Sequence, residues 1–382
     1  MATTTEDDQS FITNQSIFTK YQTAADICNR AMEAVIAGCV DGAKVIDLCK
    51  LGDKTIEDEA KKVYSNKKGI KKGIAFPTCV SPDSVICHVS PLDGEPDSEI
   101  TLKTGSLVRI ELAAHVDGYI AHSAHTLKVG ATKENPATGR EADVIEAAHK
   151  SCEAIIRLLR NGKKNYEITD TVQKLTKEFE CIPIEGMISH AVHQDNMEGE
   201  KTIMLNPTDD QRRQVPEVTL EEGDAYVIDV LITTSDGKLK PHTGRTTVYK
   251  KNVDANYQLK LKASKNIYTE ICNKFGNMGF SLRAMEDANK AKLGITECQG
   301  RRLVNGYPML ETKENEFVAH YMFTALMMPS GPTRITKDYY DASKVKADHQ
   351  IQDEEINNLL KTAVKKNNKK KNKKKKAAAA KE

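Results

Sequence analysis

The feature that most constrains the fold is an internal repeat in which an acid follows a glycine by six residues. "GSLVRIE" at 105–111 is echoed by "GDAYVID" at 223–229, and an Asp-Gly turn follows each copy, at 117–118 and at 236–237. Each hairpin is expected to close on a Thr-rich β segment, "AHTLKV" in the first copy and "GRTTVYK" in the second. One copy is typical of a surface hairpin, but two copies, each with helices, predict duplicated α/β halves whose strands share one sheet. Glu111 and Asp229 would then approach a common centre.

The segments around the two copies predict how the 382 residues are divided. Apolar residues at three- and four-residue steps predict two helices after residue 18, broken at 40–42, and a later helix that ends at Asn161-Gly162. The expected divisions are a flexible N-terminus at 1–15, a main domain at 16–345 with a helical insert at about 250–308, a C-terminal helix at 346–362 and a disordered lysine-rich tail at 363–382.

Positive charge is concentrated in two of these segments, although the formal net charge is only +2. Residues 361–382 hold eleven Lys and one Glu, or +10, and the insert holds eleven Lys or Arg and five acids, or +6. This leaves −14 on the rest of the chain. Such segregation is typical of a protein that places one face on phosphates.

The cysteines and the N-terminal sequence indicate the compartment. Nine cysteines without a C-x-x-C pair argue against a secreted disulfide framework. "MATTTEDDQS" lacks the basic and apolar regions of a secretory signal, and no apolar run reaches the roughly eighteen residues that a spanning helix needs. We therefore expect a soluble intracellular protein with no membrane insertion.

Several strings resemble those of a known family. "CHVSP" before the first hairpin and "ISHAVHQDNMEGEKTI" before the second are similar to the type II methionine aminopeptidase, or pita-bread, family. "KKGIAFPT", "PIEGMISH", "NPTD", "EFVAHY" and "MPSGPTRIT" resemble its non-peptidase branch, the proliferation-associated proteins that bind an ErbB-type receptor. The similarity runs from about residue 18 to about residue 360. It implies an α/β (α+β) fold with two pseudo-symmetric halves around a curved, mainly antiparallel sheet, plus the helical insert.

In the active members of this family, two Asp, one His and two Glu hold two divalent ions. The resemblance implies which residues of this sequence occupy those five positions. The matching positions in this sequence are Glu111, His122, His190, Asp229 and Met322, so only the histidine keeps its identity. The substrate-side histidine of the family matches His88.

These replacements argue against the family's chemistry. Two divalent ions about 3.5–4 Å apart are held by several carboxylates, some of which bridge both ions. The bridging positions here are His122 and Met322, but an imidazole cannot bridge as a carboxylate does, and a thioether is too soft a ligand for Mn²⁺ or Mg²⁺. We therefore expect a vestigial pocket with no catalytic residues, no metal and no cofactor.

Two alternatives for the pocket stay open at the level of sequence. Glu111, His122, His190 and Asp229 have the side chains that a single Zn²⁺ uses. The same residues can instead form a metal-free cluster in which histidine pairs with carboxylate. An active metalloaminopeptidase is the least favoured interpretation.

Basic residues predicted to bind RNA fall into three clusters. They are Lys67, Lys68, Lys71 and Lys72; Lys260, Lys262, Lys265, Arg301 and Arg302; and Lys369, Lys370, Lys371, Lys373, Lys374, Lys375 and Lys376. The tail string "KKNNKKKNKKKK" favours polyanion binding, or a nuclear or nucleolar import signal, over a merely solvated tail. No RRM or KH signature is present, so RNA would be recognised through phosphates and shape.

The resemblance implies the partners as well. Its branch associates with ribosomes and pre-ribosomes, and its aminopeptidase relatives act at the nascent-chain exit. We therefore expect a monomer that binds the large ribosomal subunit through ribosomal RNA and exit-site ribosomal proteins. It would act in ribosome biogenesis, translation and growth regulation, in the cytoplasm with a nuclear and nucleolar pool, and its pocket could hold a nascent peptide without cutting it.

The alternative function is a signalling or transcriptional adaptor that binds receptor tails or nuclear regulators. "INNLL" at 356–360 is similar to an L-x-x-L-L helix, which meets partners through one apolar side. The competing interpretation is that this helix docks on its own domain.

Overall fold

The computed structural model describes Phe11 and residues 14–365. The helices of this part of the chain are α1 (Gln15–Gly38), α2 (Val45–Lys62), α3 (Gly139–Leu158), α4 (Asn165–Lys177), α5 (Asp209–Gln214), α6 (Lys262–Lys274), α7 (Ala288–Gly300) and α8 (Glu354–Lys361). None of these helices combines the length and the apolar character that crossing a membrane requires.

The strands of the described residues are, in chain order, β1 (Lys72–Pro82), β2 (Val85–Cys87), β3 (Leu107–Val116), β4 (Tyr119–Lys128), β5 (Ala137–Thr138), β6 (Ile182–Pro183), β7 (Ile188–Ala191), β8 (Thr202–Met204), β9 (Ala225–Thr233), β10 (Lys240–Pro241), β11 (Val248–Lys251), β12 (Gly279–Ser281), β13 (Val304–Tyr307), β14 (Leu310–Glu311), β15 (Val318–Met328), β16 (Gly331–Arg334) and β17 (Val345–Lys346).

One nine-stranded sheet organises the fold. Its order is β1-β3-β4-β15-β9-β7-β8, with β16 beside β15 and β6 beside β9. The neighbouring strands run antiparallel. The two halves of the chain meet in the middle of this sheet, where β4 lies beside β15.

Each half covers the same face of the sheet with two helices. Ile110 and Leu112 of β3 pack in the core under α1 and α2, and Ile228 and Val230 of β9 pack in the core under α3 and α4. Side chains alternate between the two faces of a strand. The acids between these apolar residues therefore point to the opposite face of the sheet.

The first sequence repeat forms the predicted hairpin. Asp117 and Gly118 have φ angles of 54° and 79°, as a two-residue type I′ turn requires, and β3 pairs with β4 along its whole length. The prediction for the second repeat is wrong, because β9 pairs with β15 rather than with the "GRTTVYK" segment. That segment, as β11, joins β12 and β13 in a separate sheet. Because β11 packs within the insert, β9 pairs instead with β15, which follows the insert in the chain.

The sequence predicted a helical insert, but the structure shows an insert that contains both helices and strands. Helices α6 and α7 pack with the β12-β11-β13 sheet around Ile267, Ile271, Phe280 and Ile295. Strand β11 was predicted as a β segment but with the wrong partner. Strands β12 and β13 were missed because each has only three or four residues and neither shows a sustained alternation.

Two predicted boundaries also need correction. Phe11, which lies in the segment expected to be flexible, is buried against Tyr21, with ring centroids 6.0 Å apart. The C-terminal helix begins at Glu354 rather than at 346, because Asp353 caps it by accepting a hydrogen bond from the Ile356 N–H at 3.0 Å. Val345 and Lys346 instead form a short parallel strand against β5.

The "INNLL" segment lies on this last helix. Ile356 is 2% exposed, and Leu359 and Leu360 pack beside it against the core of the second half. The apolar side of α8 therefore docks on its own domain, which is the second of the two interpretations.

Candidate functional site

A cavity of about 330 Å³ lies on the face of the sheet away from the four covering helices. All six residues predicted to form the pocket line it: His88, Glu111, His122, His190, Asp229 and Met322. Five of them belong to β3, β4, β7, β9 and β15, and His88 follows β2. The alternation of the strands thus brings residues from both halves to one place.

Glu111 is 5% exposed and lies between two histidines. Its Oε1 is 3.1 Å from His122 Nε2, and its Oε2 is 3.8 Å from His88 Nε2. Neither Glu111 Oε2 nor His122 Nε2 has a well-aligned hydrogen bond within the described residues. Thr324 fixes the main chain of His122, since its hydroxyl accepts from the His122 N–H at 2.8 Å and donates to the His122 carbonyl at 3.0 Å.

The surroundings favour an ionised Glu111. Burial by itself would raise the pKa of Glu111, but the contact with His122 and the charges of His88, His122 and His320 outweigh burial and lower the pKa to about 2. Burial also opposes a charged His88, yet Cys87, Glu111 and the Pro308 carbonyl together raise the pKa of His88. The negative charge of Glu111 is therefore compensated by neighbouring protein groups.

Asp229 makes the corresponding pair in the second half. Its Oδ1 lies 2.8 Å from Nε2 of His320 on β15, and its main-chain N–H donates to the Ser189 hydroxyl at 2.9 Å. Met322 lies directly opposite Asp229 in the β9–β15 register. Sequence analysis did not identify His320, although a signal was present. His320 and Met322 are two residues apart on one strand and so share a face.

A second group that sequence analysis missed is Glu198, which lines the cavity. It forms an ion pair with Lys250 of β11 and accepts a hydrogen bond from the Tyr307 hydroxyl at 3.0 Å. Burial would raise the pKa of Glu198, but Lys250 and Tyr307 outweigh it and lower the pKa. Because β11 and β13 belong to the insert, the insert closes one side of the cavity. No sequence spacing links Glu198 to β11.

Among the described residues, the His190 ring makes its hydrogen-bond contact with the main chain and not with either acid–histidine pair. Its Nδ1 lies 3.4 Å from the Gly199 carbonyl. Burial, the largest effect, lowers the pKa of His190 although Gly199 and Glu198 act in the opposite direction.

The donors in the cavity do not fit a pair of divalent ions. Glu111 and Asp229 each face a histidine, and the two positions that the family resemblance assigns to bridging hold an imidazole and a thioether. The single Zn²⁺ alternative also requires several ligand atoms close together. Within the described chain, the trio of His, Cys, Asp or Glu ligand atoms within 4.8 Å of one another is His149, Glu153 and Asp338, on the helical side of the sheet. No trio from the cavity meets that spacing in the part of the chain described.

Five of the predicted RNA-binding residues gather at one end of the insert. Lys260, Lys262 and Lys265 lie at or near the start of α6, Arg301 and Arg302 follow α7, and all five are exposed. The Lys260 N–H donates to Glu297 of α7 at 3.3 Å, which joins the two helix ends. Arg301 lies over the ring of Tyr257 at 4.7 Å, and none of the five forms an ion pair with a described acid. We call these five residues the insert cluster.

The lysines at 67–72 form a separate surface. Lys67, Lys68 and Lys71 are exposed, whereas Lys72 is half-buried and donates to the Val63 carbonyl. Lys72 borders a cavity together with Lys274, at the far end of α6 from the insert cluster. The two ends of that helix are about 18 Å apart at about 1.5 Å per residue. The seven predicted tail lysines, 369–376, lie outside the described residues.

Comparisons with known proteins agree with this architecture. The model of metallopeptidase family M24 matches residues 19–244. ERBB-3 binding protein 1 of Solanum tuberosum is 40% identical over 333 residues, which cover 87% of this chain and 84% of that protein. A solved structure of a thermophilic Arx1 gives a TM-score of 0.86 at 31% identity and covers 92% of this chain and 99% of that one.

A more distant structure shows the same fold. Methionine aminopeptidase from Thermotoga maritima gives a TM-score of 0.54 at 17% identity and covers 86% of this chain and 100% of that one. The predicted pita-bread fold is therefore confirmed.

Proposed function

The chain belongs to metallopeptidase family M24, in the branch that the sequence strings had indicated, and from this premise we propose that it is a non-catalytic member that binds structured RNA and the large ribosomal subunit. The observation that carries the proposal is the insert cluster, where five exposed cations meet at one end of two helices with no described acid paired to any of them.

The absence of peptidase activity is inferred from how the cavity balances its own charge. A two-ion site needs carboxylates that are free to bind and to bridge metals. In this cavity Glu111 is held by His122 and His88, Asp229 is held by His320, and Met322 faces Asp229. Without a metal-activated hydroxide, neither His88 nor His190 has a nucleophile to assist. The same cavity has room for a nascent peptide that is held and not cut.

RNA binding is inferred from unpaired positive charge. Many surface lysines of this protein sit beside acids, as Lys44 does beside Glu99 at 2.9 Å and Lys313 beside Asp236 at 2.7 Å. A cation that already has an acidic partner gains less from a phosphate, because it must give up that partner. The insert cluster forms no ion pair with a described acid, and the acid that acts on it is Glu297, whose pKa is lowered mainly by Ser264 and also by the charge of Arg301. The cluster therefore gives up little when it binds phosphates.

The same end of the insert also exposes apolar side chains. Leu261, between two lysines of the insert cluster, is 61% exposed, and Leu293 of α7 is 76% exposed. Leu293 lies seven residues before the end of α7 at Gly300, or about 10 Å along the helix axis. A surface that joins cations and leucines suits a partner made of both RNA and protein. We assign this partner to the nascent-chain exit of the large ribosomal subunit, with its ribosomal RNA and ribosomal proteins.

The wider role follows from this assignment. The protein would act as a monomer in ribosome biogenesis, translation and growth regulation, in the cytoplasm with a nuclear and nucleolar pool, and the lysine tail would add affinity and import. The name of the potato relative supports a receptor tail as a further partner. Docking of α8 on its own domain argues against nuclear regulators that would use its leucines.

Binding is tested by comparing charge reversal in the insert cluster with deletion of 361–382. Reversing Lys260, Lys262, Lys265, Arg301 and Arg302 to Glu should abolish ribosome occupancy at physiological salt, because these residues fix the orientation of docking. Deleting the tail should weaken binding to any polyanion, since a flexible run makes contacts without register. For wild type, log affinity should fall linearly with log salt, with a slope of about −0.7 to −0.9 per phosphate contact.

The matched control reverses five other exposed lysines that also have no described acidic partner: Lys103, Lys133, Lys177, Lys238 and Lys240. It imposes the same change in net charge at scattered sites and should reduce occupancy only modestly. If the insert variant keeps wild-type occupancy while tail deletion removes it, the tail is the whole site and the docking surface is wrong.

Hydrolysis is tested directly. Purified protein, before and after incubation with Mn²⁺, Co²⁺ or Zn²⁺, should hold no stoichiometric metal by elemental analysis and should not release methionine from Met-Ala peptides. Two metal ions per chain, or measurable methionine release that a chelator stops, would overturn the non-catalytic assignment.

A further inference from the structure

A second cavity, of about 200 Å³, lies on the helical face of the sheet. It sits at the seam between the halves, where β4 and β15 form its floor, α1 and α3 form two walls, and residues 339–345 cross over it. His125 of β4 faces this cavity, whereas His122, three residues earlier, faces the first cavity. The two cavities are therefore separated by the sheet.

His125 is the unusual group in this second cavity. It is 6% exposed and packs edge-on against Tyr321 and Tyr339, with ring centroids 5.4 and 5.8 Å away. Neither of its ring nitrogens has a hydrogen bond to a described residue. Buried polar groups normally have a partner, so a buried imidazole that faces open space calls for one.

The surroundings of His125 also favour its neutral form at physiological pH. Burial, with smaller contributions from Arg334, His149 and Lys344, lowers the pKa of His125 to about 3, although Asp338 acts in the opposite direction. A neutral imidazole offers one N–H donor and one acceptor nitrogen. A bound group that can both donate and accept would therefore suit either tautomer.

The hydroxyl and charged side chains around this cavity already have partners. The Tyr339 hydroxyl donates to the Asn29 carbonyl at 2.9 Å, and the Tyr321 hydroxyl donates to the Thr126 carbonyl at 3.4 Å. At the rim, Lys128 is paired with Glu141, and Lys344 lies 3.8 Å from Asp341. The charges of the rim are thus balanced, and the interior offers aromatic surface with one unsatisfied imidazole.

We propose that this cavity binds a neutral, single-ring aromatic molecule that carries a hydroxyl group, with its hydroxyl on His125 and its ring among Tyr321, Tyr339 and the aliphatic wall. The volume is suitable, because an apolar cavity of about 150 Å³ is large enough to bind benzene. Tyrosine rings favour edge-to-face and offset contacts with a further aromatic ring. The balanced rim gives no net attraction for a charged ligand.

The proposal is tested with three fluorinated probes whose ¹⁹F signals have no background from the protein. 4-Fluorophenol can donate and accept, 4-fluoroanisole can only accept, and fluorobenzene can do neither. Titration of the full chain should give an affinity for 4-fluorophenol about tenfold above that for fluorobenzene, as expected for one hydrogen bond to a buried partner. Equal affinities for the three probes, or no saturable binding of 4-fluorophenol at millimolar concentration, would overturn the proposal.

Two variants show whether the probe occupies this cavity. His125→Phe should keep an aromatic ring against the two tyrosines and should reduce the phenol-to-fluorobenzene ratio to about one. Ala131→Leu, which narrows the cavity from a half-buried position on its lining, should weaken all three probes by a similar factor, while Ala288→Leu on α7 is the matched control. If His125→Phe does not fold, the alanine pair decides the question, because an affinity unchanged by Ala131→Leu would place the probe elsewhere and refute the assignment.

Discussion

The two halves of the sheet place an acid beside a histidine by different routes. In the first half Glu111 and His122 lie on strands joined by a two-residue turn. In the second half Asp229 pairs with His320, which is 91 residues away along the chain because the insert separates β9 from β15. The pairing is thus a property of the sheet, where an acid on β3 or β9 meets a histidine on the adjacent central strand, β4 or β15. Continuity of the chain is not needed for it.

The two pairs differ in how deeply they are enclosed. The Glu111 side chain is 7% exposed and has two histidines beside it, whereas the Asp229 side chain is 16% exposed and has one. Loss of charge should therefore be more harmful in the first half than in the second.

The largest effect is expected for Glu111→Gln. A carboxyl whose pKa falls from 4.5 to about 2 on folding contributes about 3 kcal/mol to stability at pH 7. The substitution should therefore lower the free energy of unfolding by about 3 kcal/mol, measured by urea denaturation at pH 7. Glu134→Gln, at an exposed position, is the control and should change it by less than about 0.5 kcal/mol.

The lowered pKa of Glu111 also predicts how the stability difference between wild type and Glu111→Gln changes with pH. Because the folded state lowers the pKa of Glu111, its contribution is fully present above about pH 4.5 and is lost as the pH falls towards 2. The stability difference between wild type and Glu111→Gln should therefore shrink over that window. A difference that stays constant from pH 7 to pH 2 would show that packing, and not charge, is responsible.

The next largest effect concerns metal binding, and it tests a feature common to both halves, the absence of a carboxylate at positions 122 and 322. Changing His122→Asp and Met322→Glu together returns a carboxylate to each bridging position. Partners that only orient metal ligands are worth about 10–100-fold in affinity, so two restored ligands should raise the affinity for Mn²⁺ by about a hundredfold. Calorimetric titration measures it, with each single change as a control.

Failure of that double change would also be informative. Asp229 would still be held by His320, so a further His320→Gln should then release it. If affinity does not rise in the triple variant either, the cavity has lost metal binding through its shape and not through these side chains.

The contrast between the halves also shows what could be predicted from the sequence. The repeat and the first hairpin followed from spacing, because in the first half each partner is close in sequence. The repeat also brought Glu111 and Asp229 to a common centre, whereas the other four cavity residues followed from the family resemblance. The second hairpin was wrong because the turn at 236–237 has the same local signature whether or not its next strand returns to the sheet. The residues of a turn do not indicate which strand pairs with β9 when that strand, β15, lies beyond an insert that has a core of its own.

His320 and Glu198 show two kinds of missed residue. His320 could have been found from its two-residue spacing to Met322 on a predicted strand. Glu198 could not, because its partners Lys250 and Tyr307 belong to the insert, and nothing in one sequence gives the orientation of the insert on the sheet.

The smallest effect is expected for Asp229→Asn, which completes the comparison. Asn keeps an oxygen that can face His320, and the main-chain bond to the Ser189 hydroxyl does not use the carboxylate. Only the charge-assisted part of one contact is lost, so the free energy of unfolding should fall by about 1 kcal/mol at pH 7. A double-mutant cycle with His320→Gln measures the interaction energy between Asp229 and His320. Each single change removes that interaction, so the sum of the two single effects includes it twice. If Asp229→Asn costs as much as Glu111→Gln, the second pair is as enclosed as the first, and the difference between the halves lies in their connections alone.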